Sequence, residues 1–222
     1  MISYAIRRAA RAIGVSNFLS RAIDGGGGEK KVVKALERQM KVGDVLWDVG
    51  ANVGAYSVMM GAWVGDEGRV FAFEPHPGTF EDLARATQRE NIICLNMALS
   101  DYSGAGLLSE QPNSATNSLA NSELDKSQVS VEVATGDSVV EKSIALCPNG
   151  LKIDVEGYEL RVLEGMGQTL QNSKVRFLVL EIHRSILEKM ESPDAVRRIR
   201  FLLKSRGFRL RWIDSSHLLA SR

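Results

Sequence analysis

The stretch VLWDVGANVGAYS, Val45 to Ser57, carries an apolar run straight into a glycine turn and from there into a helix-like segment. Val45, Leu46, Trp47 and Val49 are strand formers, Asp48 is an acid near the end of the run, and Gly50 and Gly54 bracket Ala51, Asn52 and Val53. Lacking a Cβ, the two glycines accept unusual dihedrals and let the backbone approach a ligand closely. Amides of the following helix then point at that ligand's negative end. A chain with this junction is constrained to an α/β architecture with a ligand seat at a strand's carboxyl end.

The spacing narrows the ligand. A G-x-G-x-x-G dinucleotide fingerprint starting at Gly50 requires glycine at 52 and glycine or alanine at 55, and the chain has Asn52 and Ala55. An asparagine in place of the middle glycine removes the clearance for a pyrophosphate and adds an amide that hydrogen-bonds. Read as Asp-x-Gly-x-Asn-x-Gly, the loop offers one acid, one amide and two close-approach glycines. That set suits a ligand with an ammonium, a carboxylate and no phosphate, and S-adenosylmethionine has those groups. A second apolar run, RVFAFEPHP, ends in Glu74, about 20 residues past the glycine turn, where doubly wound nucleotide sites carry an acid for ribose hydroxyls. The plainer account of Glu74 is an acid at a helix N-terminus.

Composition bounds the rest. The 222 residues are 44% hydrophobic, enough for one sizeable core. With 28 Lys and Arg against 27 acids, the formal net charge is +1, so no global field recruits nucleic acid or an acidic membrane. Two cysteines, Cys94 and Cys147, make no disulfide framework and point to a reducing cytoplasm. No apolar run reaches the ~20 residues of a membrane span. The first 28 residues read as a unit of their own: Arg7, Arg8, Arg11 and Arg21 interleave with Ile2, Ile6, Ile13, Phe18 and Leu19 as in a basic amphipathic helix, followed by the glycine joint Gly25 to Gly28. Such a helix either packs on the domain or makes a weak contact with a membrane surface.

Residues 29–222 read as one domain. Helices are expected around Glu29 to Met40 and Thr79 to Glu90, and a single strand over Ile92 to Leu99. Tyr102 to Ser130, rich in Ser, Asn and Gly, is expected as turns, a short hairpin and a loop that shapes the substrate side. Val129 to Asp137 alternates like a strand, with a short helix near Asp137 to Ser143. GLKIDVEG strand, YELRVLEGM helix, KVRFLVLEIH strand and a long helix from about Pro193 to Arg206 follow, closed by the strands RLRWID and HLLASR. The order fits a seven-stranded, mostly parallel, doubly wound sheet with helices on both faces and a C-terminal antiparallel hairpin.

Candidate chemistry falls at the strand ends. Lys152 and Asp154 share one strand face by the period of two, with Glu156 and Gly157 in the turn beyond, and Glu181 and His183 repeat the pattern one strand later. If those ends adjoin, Asp154, Glu156, Glu181 and His183 surround the position of an acceptor hydroxyl, and a neutral His183 is the natural proton acceptor near pH 7. Two acids and a histidine equally suit a divalent cation that lowers the pKa of a bound hydroxyl, and the residues do not choose between the two. His76 and His217 read as surface residues.

Together WDVGANVGAYS, FAFEPHP, NMALSDYSG, LKIDVEGYELRVLEGM and LVLEIH resemble the successive motifs of the FkbM family of class I S-adenosylmethionine-dependent methyltransferases, over about residues 44 to 213. The resemblance implies a Rossmann-like fold and O-methylation of a hydroxyl on a sugar, polyketide or other small metabolite. It implies that Asp48, Gly50, Asn52 and Gly54, with Ser57 behind them in the same motif, cradle the methionine part. Glu74 would hold the ribose, and Ser100 with Asp101 would lie beside the adenine. Two departures stand out. Metal-dependent catechol-type O-methyltransferases carry a lysine three residues after the acid at the corresponding strand end, where this chain has Gly157. Near Asp137 the chain reads Gly-Asp where the family more often has Leu-Asp, which is expected to loosen one core contact. The alternatives are an NAD-dependent oxidoreductase, disfavoured by Asn52, and a non-catalytic adapter on the same fold.

Overall fold

A computed structural model describes residues 27–109 and 128–222. The basic helix expected at the N-terminus, and the middle of the segment expected as a substrate wall, lie outside the described residues. Helix α1 (Gly28–Gln39) buries Val32, Val33 and Leu36 and leads into β1 (Val45–Val49). Then come α2 (Ala55–Val64), β2 (Arg69–Phe73), α3 (Pro77–Ala86) and β3 (Ile92–Leu95). The second half runs β7 (Gly150–Ile153), α5 (Glu159–Glu164), β8 (Phe177–Glu181), α6 (Arg184–Met190), α7 (Ala195–Ser205), β9 (Arg209–Trp212) and β10 (His217–Ser221).

Seven strands form one sheet in the order β3-β2-β1-β7-β8-β10-β9. The first five are parallel, and β10 runs antiparallel to both β8 and β9. The chain steps outward from β1 to β3 and returns beside β1 with β7, so the switch point lies between β1 and β7. The register aligns the carboxyl ends: Val49 opposes Phe73 on one side and Ile153 on the other, and Ile153 opposes Leu180. The residues just past those ends, Gly50, Glu74, Asp154 and Glu181, therefore share one edge of the sheet.

Strands buried on both faces explain their apolar runs. Trp47, Phe73, Phe177, Leu151 and Ile153 are among the largest fully buried side chains. The Trp47 and Phe73 rings meet at 5.1 Å between centroids, and the Trp47 indole donates to the Leu146 carbonyl. Gly150 is needed here because a Cβ would lie 2.0 Å from the Phe177 ring. Helix α2 is buried around most of its circumference, which its mainly apolar sequence AYSVMMGAWV permits.

Two expectations are corrected, and one helix is added. Ile92 to Leu99 is not one strand: the chain breaks at Asn96, whose side-chain amide donates to the carbonyls of Glu74 and Pro75, and Met97 folds back on Leu95. The remainder, β4 (Ala98–Leu99), joins β5 (Gly104–Ser109) and β6 (Gln128–Ala134) in a separate three-stranded sheet ordered β4-β6-β5. There β5 pairs antiparallel with β6, the strand expected over Val129 to Asp137. Next, Arg184–Met190, which no expectation covered, forms α6 ahead of the expected long helix, which is α7. Finally, the Gly-Asp pair opens α4 (Gly136–Glu141) without loosening the core. A Cβ on Gly136 would meet Met166 Cγ at 2.5 Å, so the methionine fills the space a leucine would take.

Candidate functional site

The glycine turn is held from both sides. Gly50 and Gly54 have φ of +76° and +87°, and Asn52 between them is also left-handed at +50°. A Cβ on Gly50 would lie 1.9 Å from the Asp154 carbonyl oxygen, so this turn can pack against β7 only as glycine. Gly54 is the N-cap of α2, so no side chain at that position satisfies the first amides of the helix. Glu74, at the end of β2, accepts from the Asn52 amide through one oxygen and from the His76 amide through the other, both at 3.0 Å. Each oxygen keeps a second lone pair for a diol. Burial pushes the Glu74 carboxyl up, against the two amides that stabilise its charge.

Asp48 and Ser57 lie beneath this turn. The Asp48 carboxylate is 0% exposed; its Oδ2 accepts from Ser57 Oγ at 2.6 Å, and its Oδ1 is 3.5 Å from Lys152 Nζ. Lys152, 6% exposed, also reaches Asp154 Oδ2 at 3.1 Å and the Gly50 carbonyl at 3.2 Å, above the Tyr56 ring. Burial opposes the ammonium, but Asp154 and Asp48 outweigh it and raise its pKa. The same pairing holds Asp154 below the usual carboxylate range despite its burial. Lys152 is thus a cationic strut between the glycine turn and β7. Sequence reading noted its place on the Asp154 face but gave it no role. The strand period was the available signal.

The four strand-end residues named for chemistry converge. His183 Nε2 is 3.3 Å from Glu156 Oε2, 3.8 Å from Asp154 Oδ1 and 3.9 Å from Glu181 Oε1. Its Nδ1 is 2.8 Å from Oε1 of Glu159, a fully buried acid at the start of α5 that sequence reading passed over. Burial opposes protonation of the imidazole, but the Glu159 hydrogen bond and the charges of Glu156, Glu159 and Asp154 raise its pKa to about 9. The ring is therefore cationic near pH 7 rather than neutral. Glu156 reaches the cluster from a turn with φ of +49°, followed by Gly157 at +97°.

The other histidines are not simple surface groups. His217 opposes Glu181 in the β8–β10 register, contacts its Oε2 at 3.3 Å, and bonds Asp214 at 3.0 Å through Nδ1. His76 caps α3 by accepting from the Thr79 amide. Ser100 and Asp101 are tied to the second sheet and α5: the Ser100 amide donates to Ala134, Ser100 Oγ bonds Asp101, and Asp101 pairs with Arg161. Asn96, unremarked in the sequence, is the side chain that binds the main chain just past Glu74. Among the described residues, no helix is long and apolar enough to cross a membrane.

Comparison with known proteins agrees with this geometry. Residues 48–210 match the methyltransferase FkbM domain. The chain is 35% identical over 161 residues to the hexuronic acid methyltransferase AglP of Haloferax volcanii, covering 72% of this chain and 64% of that protein. Among solved structures, fibrillarin of Aeropyrum pernix with natively bound S-adenosyl-L-methionine is similar with a TM-score of 0.51 at 18% identity, covering 86% of this chain and 73% of that one. Precorrin-6y C5,15-methyltransferase of Geobacter metallireducens gives 0.52 at 12% identity, with 87% of each chain covered. These two likenesses concern the fold. The glycine turn, the acid ending β2 and the switch-point sheet thus stand in a domain that matches over most of its length, and the chain belongs to the FkbM family of methyltransferases.

Proposed function

We propose that this chain transfers a methyl group from S-adenosylmethionine to a hydroxyl of a sugar acid or a related small polyhydroxylated metabolite. The observation that carries the reading is the close packing of the two halves of the site: Gly50 lies against Asp154 with no room for a Cβ, and Lys152 bridges both. A ligand seated on the glycine turn is thereby beside the carboxylates and His183. The cofactor, when bound, supplies an electrophilic methyl on a sulfonium.

The chain's own residues do the rest. Main chain at Gly50, Asn52 and Gly54 receives the methionine part, with Asp48 and Ser57 fixing the turn from below, and Glu74 accepts from the ribose diol. Asp154, Glu156, Glu181 and His183 orient the acceptor, and a carboxylate of the cluster takes up its proton as the oxygen–methyl bond forms and the sulfur–methyl bond breaks, the electron pair remaining on sulfur. Three carboxylates make a poor seat for a fourth, which favours a hydroxyl over a carboxylate of the substrate. The hexuronic acid named for the relative supports the sugar-acid class, although the chain spans only 64% of that protein.

The test is transfer of labelled methyl from S-adenosylmethionine to glycosides of hexuronic acids. An alkali-stable methyl ether is the expected product. An alkali-labile ester would move the acceptor to the carboxylate, and cofactor binding with no transfer to any hydroxylated substrate would favour the adapter alternative.

A further inference from the structure

The acidic end of the site is built with more supports than an acceptor hydroxyl requires. Asp154 has Oδ2 on Lys152, His183 has Nδ1 on Glu159, and Glu181 has Oε2 on His217. Each group is thus fixed by one polar atom, and the remaining atoms, Asp154 Oδ1 and His183 Nε2, gather with Glu156 Oε2. Donor atoms from Asp154, Glu156 and His183 all lie within 4.8 Å of one another. The separations of 3.3 and 3.8 Å from His183 Nε2 exceed those of well-formed hydrogen bonds. They suit ligands spaced around a common ion at roughly 2.0–2.2 Å from each.

Glu159 supplies an independent indication. It is 0% exposed, its Oε1 serves His183 Nδ1 and the Gly157 amide, and its Oε2 has no hydrogen-bond partner among the described residues. A buried, half-satisfied carboxylate behind one imidazole nitrogen is costly by itself. It is the arrangement that fixes the tautomer and raises the basicity of a histidine whose other nitrogen binds a metal.

We infer that Asp154, Glu156 and His183 form a binding site for one divalent first-row cation, of the Mn²⁺ or Zn²⁺ kind, with Glu159 orienting the histidine ligand. An imidazole among the donors favours these ions over Mg²⁺ and Ca²⁺. The three ligands are only partly buried, which leaves coordination positions open to a substrate oxygen. The inference rests on the proposed methyl transfer for its purpose: a hydroxyl on the cation becomes more acidic and passes its proton to Glu181, the fourth carboxylate, as it attacks the methyl.

The experiment measures metal binding directly on the full chain, without cofactor or acceptor. After dialysis against chelator, Mn²⁺ is titrated with the free-ion spin-resonance signal as readout, and Zn²⁺ by calorimetry. One ion per chain is expected, with affinity falling at least about tenfold in Glu156→Gln and in His183→Gln, and by about 10-fold in Glu159→Gln. Retained S-adenosylmethionine binding and circular dichroism certify that the variants fold. Failure of both ions to bind the wild-type chain overturns the inference, as does binding that all three variants leave unchanged. Methyl transfer at full rate by the metal-free chain also overturns it while leaving the proposed function standing.

Discussion

At the ends of β1 and β2 the site is made of main chain, whereas at the ends of β7 and β8 it is made of side chains. The first region is a turn with three left-handed residues and a carboxylate engaged by two amides. The second is a knot of carboxylates around His183, partly open to solvent, with Lys152, His183 and His217 as its basic partners. The difference teaches a division of work. A backbone seat is rigid and tolerates few substitutions, which suits a cofactor that stays the same. Side chains on short turns vary independently of the fold, which suits acceptor choice and proton handling.

The comparison breaks first at Gly50. Gly50→Ala places a Cβ 1.9 Å from the Asp154 carbonyl at a left-handed φ, and a loss of about 4 kcal/mol in denaturant unfolding is expected from strain plus overpacking. A loss under about 1 kcal/mol would show that the two halves are not packed as described. Lys152 is next. Lys152→Met leaves Asp48 and Asp154 without their shared cation, at a cost of about 3 kcal/mol, with Lys152→Arg recovering part of it. Unchanged melting in Lys152→Met would mean the strut carries no weight.

The smallest effect lies behind Glu181. Burial works against the charge of Asp214, but the amides of Ser216 and His217 and the His217 ring hold its pKa below the ordinary 3.8. Burial also opposes His217, yet Glu181 and Asp214 raise it above 6.5. The stability Asp214 contributes is present above its unfolded pKa and fades as pH falls through the depressed value. That of His217 is complete below 6.5 and fades as pH rises through the raised one. Asp214→Asn is therefore expected to cost about 1 kcal/mol near pH 5.5, and less at pH 2 and pH 9. A pH-independent difference in urea midpoints would remove the ion pair from the account.

The sequence made one of these regions far more readable than the other. Gly50, Asn52, Gly54 and Glu74 were legible because strand period, glycine chemistry and a fixed spacing act locally, and the doubly wound class of the main sheet with its C-terminal hairpin followed from the same grammar. The second sheet was hidden because an unbroken apolar run gave no sign that Asn96 would bond the main chain after Glu74 and end β3. Glu159 looked like an ordinary acid in the first turn of a helix, and only packing of α5 against the start of α6 brings it to His183. The pairing of His217 with Glu181 depends on the register of two strands 36 positions apart in the chain. Side-chain constellations of this kind are set by tertiary contacts, which no local pattern encodes.

The division of work is tested most directly by measuring cofactor affinity and kcat for the wild-type chain, Glu74→Ala and His183→Ala together, on a hexuronic acid glycoside. The account predicts that Glu74→Ala weakens S-adenosylmethionine binding roughly 10- to 100-fold at nearly unchanged kcat, and that His183→Ala lowers kcat about 100-fold with affinity within about threefold. If both variants lose affinity and turnover in the same proportion, the two ends of the site are not separate in function and the central claim fails.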